Sequence, residues 1–185
     1  MTADTDGGDG PEPIREPLPN RLIRRTYSPA PISVLANFLV WGGSRIYRHR
    51  FGLGTNEWRV LSGLSNIPGL TGNGLSDLLS MNKATVSKSV GVLRERGLVV
   101  RVREHGARRL FLTEAGRRQH DEMLPIALER ERILLEALDP GEVDAFRASL
   151  FKLVTALPRL EEYDDRMAGG SEAVIGYRIT REDEA

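Results

Sequence analysis

The chain has 185 residues, 40% of them apolar and 28% charged, the composition of a globular domain able to build a core. It contains no cysteine, which excludes a disulfide framework, a thiolate metal site, a cysteine nucleophile and a thiol redox sensor. The 26 basic side chains balance 26 acidic ones, yet ten basic and only three acidic residues fall within residues 81–120.

Residues 1–30 read as a flexible arm. The first twenty are rich in Asp, Gly and Pro and bury too little apolar surface to order themselves. The following RLIRRTYSPAP is a basic, adhering extension. No secretory signal is visible at the start, and the longest apolar stretch without a charge, Ala30 to Ser44, is too short for a membrane span. A cytoplasmic protein without membrane contact is the expectation. From Ile32 to about Phe51, Val34, Leu35, Phe38, Leu39, Trp41 and Ile46 recur at helical spacing. Gly42 and Gly43 weaken the middle of that helix and mark a bend or a close helix contact.

Thr55 is the predicted cap of a second helix, with Glu57 in its first turn and Trp58, Leu61 and Leu64 inward. Asn66-Ile67-Pro68-Gly69 stops it. Thr71 caps a short third helix with Leu75, Leu78 and Leu79 inward. Asn82 caps a fourth, in which Val86, Val90 and Leu93 face the core and Arg96-Gly97 ends the run. The period then changes. Leu98–Arg103 alternates apolar and basic, Glu104–Ala107 turns, and Arg109–Thr113 returns, predicting a β-hairpin with Arg101, Arg103, Arg108 and Arg109 near its tip or outer face. Thr113 caps a long helix running to about Leu138 and interrupted by Pro125. Asp139-Pro140-Gly141-Glu142 opens a last helix striped by Val143, Phe146, Leu150, Leu153, Val154 and Leu157, and Pro158 is expected to end it. Residues 161–185 form an acidic tail with a short apolar patch, Ala173-Val174-Ile175.

A short capped helix, a second helix with a polar N-terminal half and a basic hairpin, in that order, make a winged helix-turn-helix. The fold class is therefore mainly α with a small β-hairpin wing, a winged lobe joined to a helical body. A helix entering a major groove needs small or hydrogen-bonding side chains at its N-terminal end. Ala84, Thr85, Ser87, Lys88 and the Ser89 hydroxyl meet that need. Lys83 and Lys88 suit phosphate contacts, and arginines on a hairpin reach an adjacent minor groove.

The segments GLGTNEWRVLSGL, LSDLLSMNKATVSKSVGVLRERGLVVR and RLFLTEAGR resemble the successive landmarks of the MarR family of bacterial transcriptional regulators, over about residues 31–160. The resemblance implies an obligate homodimer whose body comes from the first helix (31–54) and the C-terminal helices (114–160), with residues 55–113 as the DNA-binding lobe. It implies a pseudo-palindromic double-stranded operator and, for a repressor, release by a small aromatic acid or phenolic effector. It puts Ala84, Thr85, Ser87 and Lys88 on the recognition helix. Many members carry Asp-x-Arg in the wing. Here Glu104-His105-Gly106-Ala107-Arg108-Arg109 stands instead, leaving both Arg108 and Arg109 as candidates for the minor groove.

The three histidines, His49, His105 and His120, are not spaced as metal ligands, and no glycine-rich phosphate loop follows a strand. Neither catalytic residues, a metal site nor a cofactor is predicted. A winged protein-interaction module without effector-controlled DNA binding would not need the basic surplus of residues 81–120. Phe38, Trp41, Tyr47, Phe51 and Trp58 are core residues by default, but Trp41, Tyr47, Phe51 and Trp58, beside Arg45, Arg48 and His49, also suit an aromatic carboxylate. The same cations would equally complement the C-terminal dipole of the first helix.

Overall fold

The computed structural model describes residues 12–169; most of the predicted arm before them, and the tail from residue 170 with its apolar patch, lie outside the described residues. Seven helices and one hairpin follow in order: α1 (Pro29–Phe51), α2 (Thr55–Asn66), α3 (Gly72–Leu79), α4 (Lys83–Glu95), β1 (Val99–Glu104), β2 (Ala107–Leu112), α5 (Glu114–Leu135), α6 (Pro140–Thr155) and α7 (Leu157–Ala168). The chain divides into two compact units, residues 1–39 and 40–185, the boundary falling within α1. In the first unit, the described residues before α1 hold a turn over residues 24–26 and little other regular structure. Among the described residues no helix is long and apolar enough to cross a membrane.

The second unit is built around α2, α3, α4, the hairpin and the first half of α5. Leu53, Val60, Leu61, Leu64, Leu75, Val86, Val90, Leu93, Leu110 and Met123 are all 2% exposed or less. Local chemistry defines the element boundaries. Thr71 Oγ1 accepts from Gly74 N at 3.1 Å, Asn82 Oδ1 from Thr85 N at 2.8 Å, and Thr113 Oγ1 from Gly116 N at 3.0 Å, each satisfying an amide that the first helical turn leaves open. The sequence cap at Thr55 is a correction. Gly54 holds the cap position, and its N–H donates to Glu57 Oε2 at 2.7 Å. Thr55 is buried because its hydroxyl is used elsewhere, donating to Val40 O at 2.9 Å.

The two strands pair antiparallel, Val99 opposite Leu112 through Glu104 opposite Ala107. The turn between them is His105-Gly106, both at positive φ (48° and 78°), the pattern of a type I′ turn whose twist matches the strands. The loop after α2 joins β2 as well: Gly69 N donates to Leu110 O and Leu110 N to Leu70 O, both at 2.9 Å. The wing is thereby bonded to the helical lobe at its base. At the C-terminal end a second correction applies. Pro158 does not end the chain's helices but stands in the first turn of α7, where a missing N–H costs nothing. The helix before it ends at Thr155, and residues 161–168 of the expected tail are helical.

Candidate nucleic-acid interface and groove

Asn82 starts α4 so that Lys83, Ala84 and Thr85 form its first turn. Lys83, Ala84, Ser87 and Lys88 are exposed and Thr85 is half-buried, while Val86, Val90 and Leu93 anchor the other side. Ser89 does not join the exposed row. It is 2% exposed, and its hydroxyl donates to Glu57 Oε1 at 2.7 Å. The sequence reading placed it with the polar face, although it lies three residues after Val86 and four before Leu93, on the phase of the apolar stripe.

Register sorts the wing arginines. Arg103 pairs with Arg108 and Arg101 with Leu110, so Arg101, Arg103 and Arg108 share one face of the hairpin, and all three are exposed. Arg109 pairs with Val102 on the opposite face. It is half-buried, its Nη1 donating to Gly69 O at 2.9 Å. The four arginines are therefore not equivalent, since Arg109 is tied to the lobe. Arg59 on α2 does comparable work for α3. Its guanidinium donates to Leu79 O, and burial lowers its pKa from the ordinary arginine value.

The residues singled out for a small ligand separate into two groups. Trp41, Arg45 and Arg48 come together with Val40 and Ser44 along one face of α1, and Asn56 of α2 completes a groove of about 600 Å³. Ser44 Oγ accepts from Thr55 N at 3.1 Å and donates to Thr55 Oγ1 at 3.0 Å, so α1 and the start of α2 are stitched together beside this groove. Tyr47, His49, Phe51 and Trp58 do not line it. His49 is exposed. Phe51 packs against the core, with the Arg50 guanidinium 5.8 Å from its ring centroid. Trp58 lies between Tyr47 (5.8 Å) and His120 (5.4 Å, stacked). Burial pushes the Tyr47 phenol above its ordinary value, and the Arg130 charge works in the opposite direction.

His120 also contacts Ser65 Oγ (3.2 Å, Nε2) and Asp121 Oδ1 (3.1 Å, Nδ1), a Ser–His–Asp order that invites comparison with a hydrolytic triad. Ser65 Oγ has a second acceptor within its own helix, Ser62 O at 2.8 Å, which competes with His120 for the single hydroxyl proton. Among the described residues no three His, Asp or Glu side chains gather as metal ligands.

Sequence reasoning missed Asn56, Ser44, Arg96 and the partnership of Glu57 with Ser89. Glu57 carried a visible signal, standing three residues after the cap position, where a carboxylate reaches back to the cap amide. Arg96 donates from Nη1 to Phe51 O at 2.9 Å and from Nη2 to Gly52 O at 2.7 Å, a pairing across 44 and 45 residues that no local pattern announces.

A capped helix with a polar leading face, seated on a helical lobe beside a basic two-stranded wing, defines a DNA-binding winged helix-turn-helix protein. The sequence profile of the MarR family matches residues 51–110. A MarR/EmrR family transcriptional regulator from Acinetobacter sp. ADP1 is similar in structure with a TM-score of 0.70 and 30% identity, covering 75% of this chain and 99% of that one. A MarR family regulator from Silicibacter pomeroyi gives 0.65 and 26%, covering 71% and 90%. The S. aureus MepR–DNA complex shares the fold at 0.63 and 22% identity, covering 71% and 96%. A comparison with curated protein sequences found no match. The chain belongs to the MarR family of DNA-binding transcriptional regulators.

Proposed function

We propose that the protein is a homodimeric repressor that reads a pseudo-palindromic operator and leaves it when a small aromatic acid or phenol binds. The observation that carries this reading is the exposed row Lys83, Ala84, Ser87 and Lys88, presented opposite the buried Val86, Val90 and Leu93. Thr85, Ser87 and Ala84 face base edges, and Lys83 and Lys88 meet phosphates. Of the wing arginines, Arg108, Arg101 and Arg103 approach the minor groove and its phosphates, while Arg109 braces the hairpin. Residues 55–113 act as the DNA-binding lobe, residues 31–54 and 114–160 as the dimer body, and the protein works in the cytoplasm on genomic DNA. The effector lies at Trp41, Arg45, Arg48 and Asn56, where an indole wall beside two guanidinium groups suits an aromatic carboxylate. A hundredfold weakening of operator binding corresponds to a coupling of about 2.7 kcal/mol, within reach of one charged contact made in a single state.

The test begins with duplexes enriched from a random-sequence library. Thr85→Ala or Ser87→Ala should relax selection at one base pair per half-site, at a cost of about 1–3 kcal/mol. Lys83→Ala should weaken all duplexes alike and reduce the salt slope by about 2, one lost phosphate contact in each protomer of the dimer. Equal losses on enriched and random DNA for all three variants would reject α4 as the reader. Benzoates, cinnamates and simple phenols are then titrated against the complex. Compounds that raise the unfolding temperature yet leave operator affinity unchanged would reject effector release.

A further inference from the structure

The geometry points to the segment Phe51–Glu57, from the last residue of α1 through the first turn of α2, as the element that sets the orientation of α4 on DNA, with Glu57 and Arg96 as the positioning residues. The inference rests on the proposed reading role of α4 and adds to it the origin of its aim. Val86, Val90 and Leu93 bind α4 to the core, but apolar contacts are non-directional and tolerate small rotations of the helix. Directional bonds do not. Ser89, one turn beyond Thr85, donates from a buried position to Glu57 Oε1 at 2.7 Å, and the other oxygen of that carboxylate takes the Gly54 N–H at 2.7 Å. At the C-terminal cap of α4, Arg96 forks onto Phe51 O and Gly52 O at 2.9 and 2.7 Å. One end of the helix and its middle are thus fastened to one short segment. Together, two anchor points seven residues apart, Ser89 with one bond and Arg96 with two, fix both the rotation and the tilt of the reading face.

The same segment borders the proposed effector groove. Asn56, adjacent to Glu57, lines it. A methyl group at Gly54 would stand 2.8 Å from Glu57 Oε2 and 3.6 Å from Arg48 Nε, so the carboxylate and the groove arginine flank a single glycine.

The experiment compares an operator duplex enriched by the wild-type protein with a random duplex. It uses Glu57→Ala, Ser89→Ala, the double variant, Glu57→Gln and Arg96→Lys. Glu57→Ala, Ser89→Ala and Arg96→Lys should each lower the operator-to-random affinity ratio at least tenfold. Random-duplex affinity and its salt slope should stay within twofold, because Lys83 and Lys88 are untouched. The double variant should fall no further than Glu57→Ala alone, since that change already removes the bond to Ser89. Glu57→Gln, which keeps an acceptor for Gly54 and a partner for Ser89, should retain most of the ratio. Simple destabilisation would lower both affinities together and is monitored by the unfolding temperature. Ser89→Ala deletes one hydroxyl and keeps helix propensity, so it carries the test alone if Glu57→Ala does not fold. An unchanged ratio in folded variants, or additive losses in the double one, overturns the positioning role while leaving α4 as reader. A wild-type protein that enriches no sequence overturns both.

Discussion

Tyr47 shows what one buried side chain does to the pH response of the lobe. It is 3% exposed, and burial raises its phenol pKa above the ordinary value of 10.0. A group whose folded pKa is raised stabilises the native state fully below its unfolded pKa, and that contribution is lost as pH rises through the folded value. Wild-type protein should therefore lose stability from about pH 10 upward more steeply than Tyr47→Phe. Denaturant midpoints measured across the alkaline range check this, and parallel curves would show that Tyr47 contributes nothing to the limb. The aromatic spacing along α1 makes Phe38, Trp41 and Tyr47 core positions alike, yet only Tyr47 is buried, Phe38 being 74% and Trp41 70% exposed. The tilted ring contact of Tyr47 with Trp58, which in turn stacks on His120, was not legible, since it joins residues of three different helices. Ser89 is the opposite case. The periodicity that placed Val86 and Leu93 inward also placed Ser89 inward, and the hydroxyl chemistry masked it. A serine reads as surface unless a buried acceptor is known, and Glu57 is 32 residues away.

At the scale of elements, two glycines that look alike in sequence carry opposite expectations. Gly116 sits in the first turn of α5, where a Cβ would lie 1.9 Å from Leu98 O. The close approach exists because Thr113 N donates to Leu98 O at 3.0 Å and Thr113 Oγ1 to Gly97 O at 2.7 Å, drawing the helix start onto β1. Gly116→Ala must displace backbone and should destabilise by more than about 2 kcal/mol, a backbone clash in a packed site. Gly91, within α4, has nothing within 4 Å of the added carbon, and alanine there should stabilise by about 0.5–1 kcal/mol. Thermal unfolding of the two variants should move in opposite directions. Caps were the most legible boundaries: Thr71, Asn82 and Thr113 do what their residue types indicate. Thr55 failed because two groups competed for one role, and Glu57 filled the cap amide while Thr55 turned to Val40. Pro158 failed because proline ends one helix and begins the next with equal ease, and only the apolar run Leu160, Tyr163 and Met167 beyond it marks the second.

For the whole molecule, the unsolved energetic question is what covers the C-terminal helices. Neither α6 nor α7 has a single buried residue, and helices of 16 and 12 residues are marginal alone in water. Their large apolar side chains lie open: Phe151 is 51% exposed, Leu153 56%, Leu160 55% and Tyr163 52%. The ion pair that ties α6 to α5, Arg147 with Glu131 at 2.8 Å, is exposed and worth about 0–1 kcal/mol, too little to hold them. The proposed homodimer resolves the deficit, because a second copy brings a matching apolar surface to the same place. DNA reading then depends on that pairing. Two α4 helices held at a fixed separation engage half-sites about one helical turn of DNA apart, whereas a lone lobe has one recognition helix and a handful of phosphate contacts. Leu153→Lys combined with Leu160→Lys places charges on the face to be covered without touching the lobe. Sedimentation should show monomers where the parent protein sediments as a dimer, and circular dichroism should show loss of helix from α6 and α7. Operator affinity should fall toward that for random duplex, while the salt slope drops by roughly half as one set of phosphate contacts is lost. A doubly substituted protein that remains dimeric, or a monomer that keeps full operator affinity, would place the dimer contact elsewhere or remove it from DNA recognition altogether.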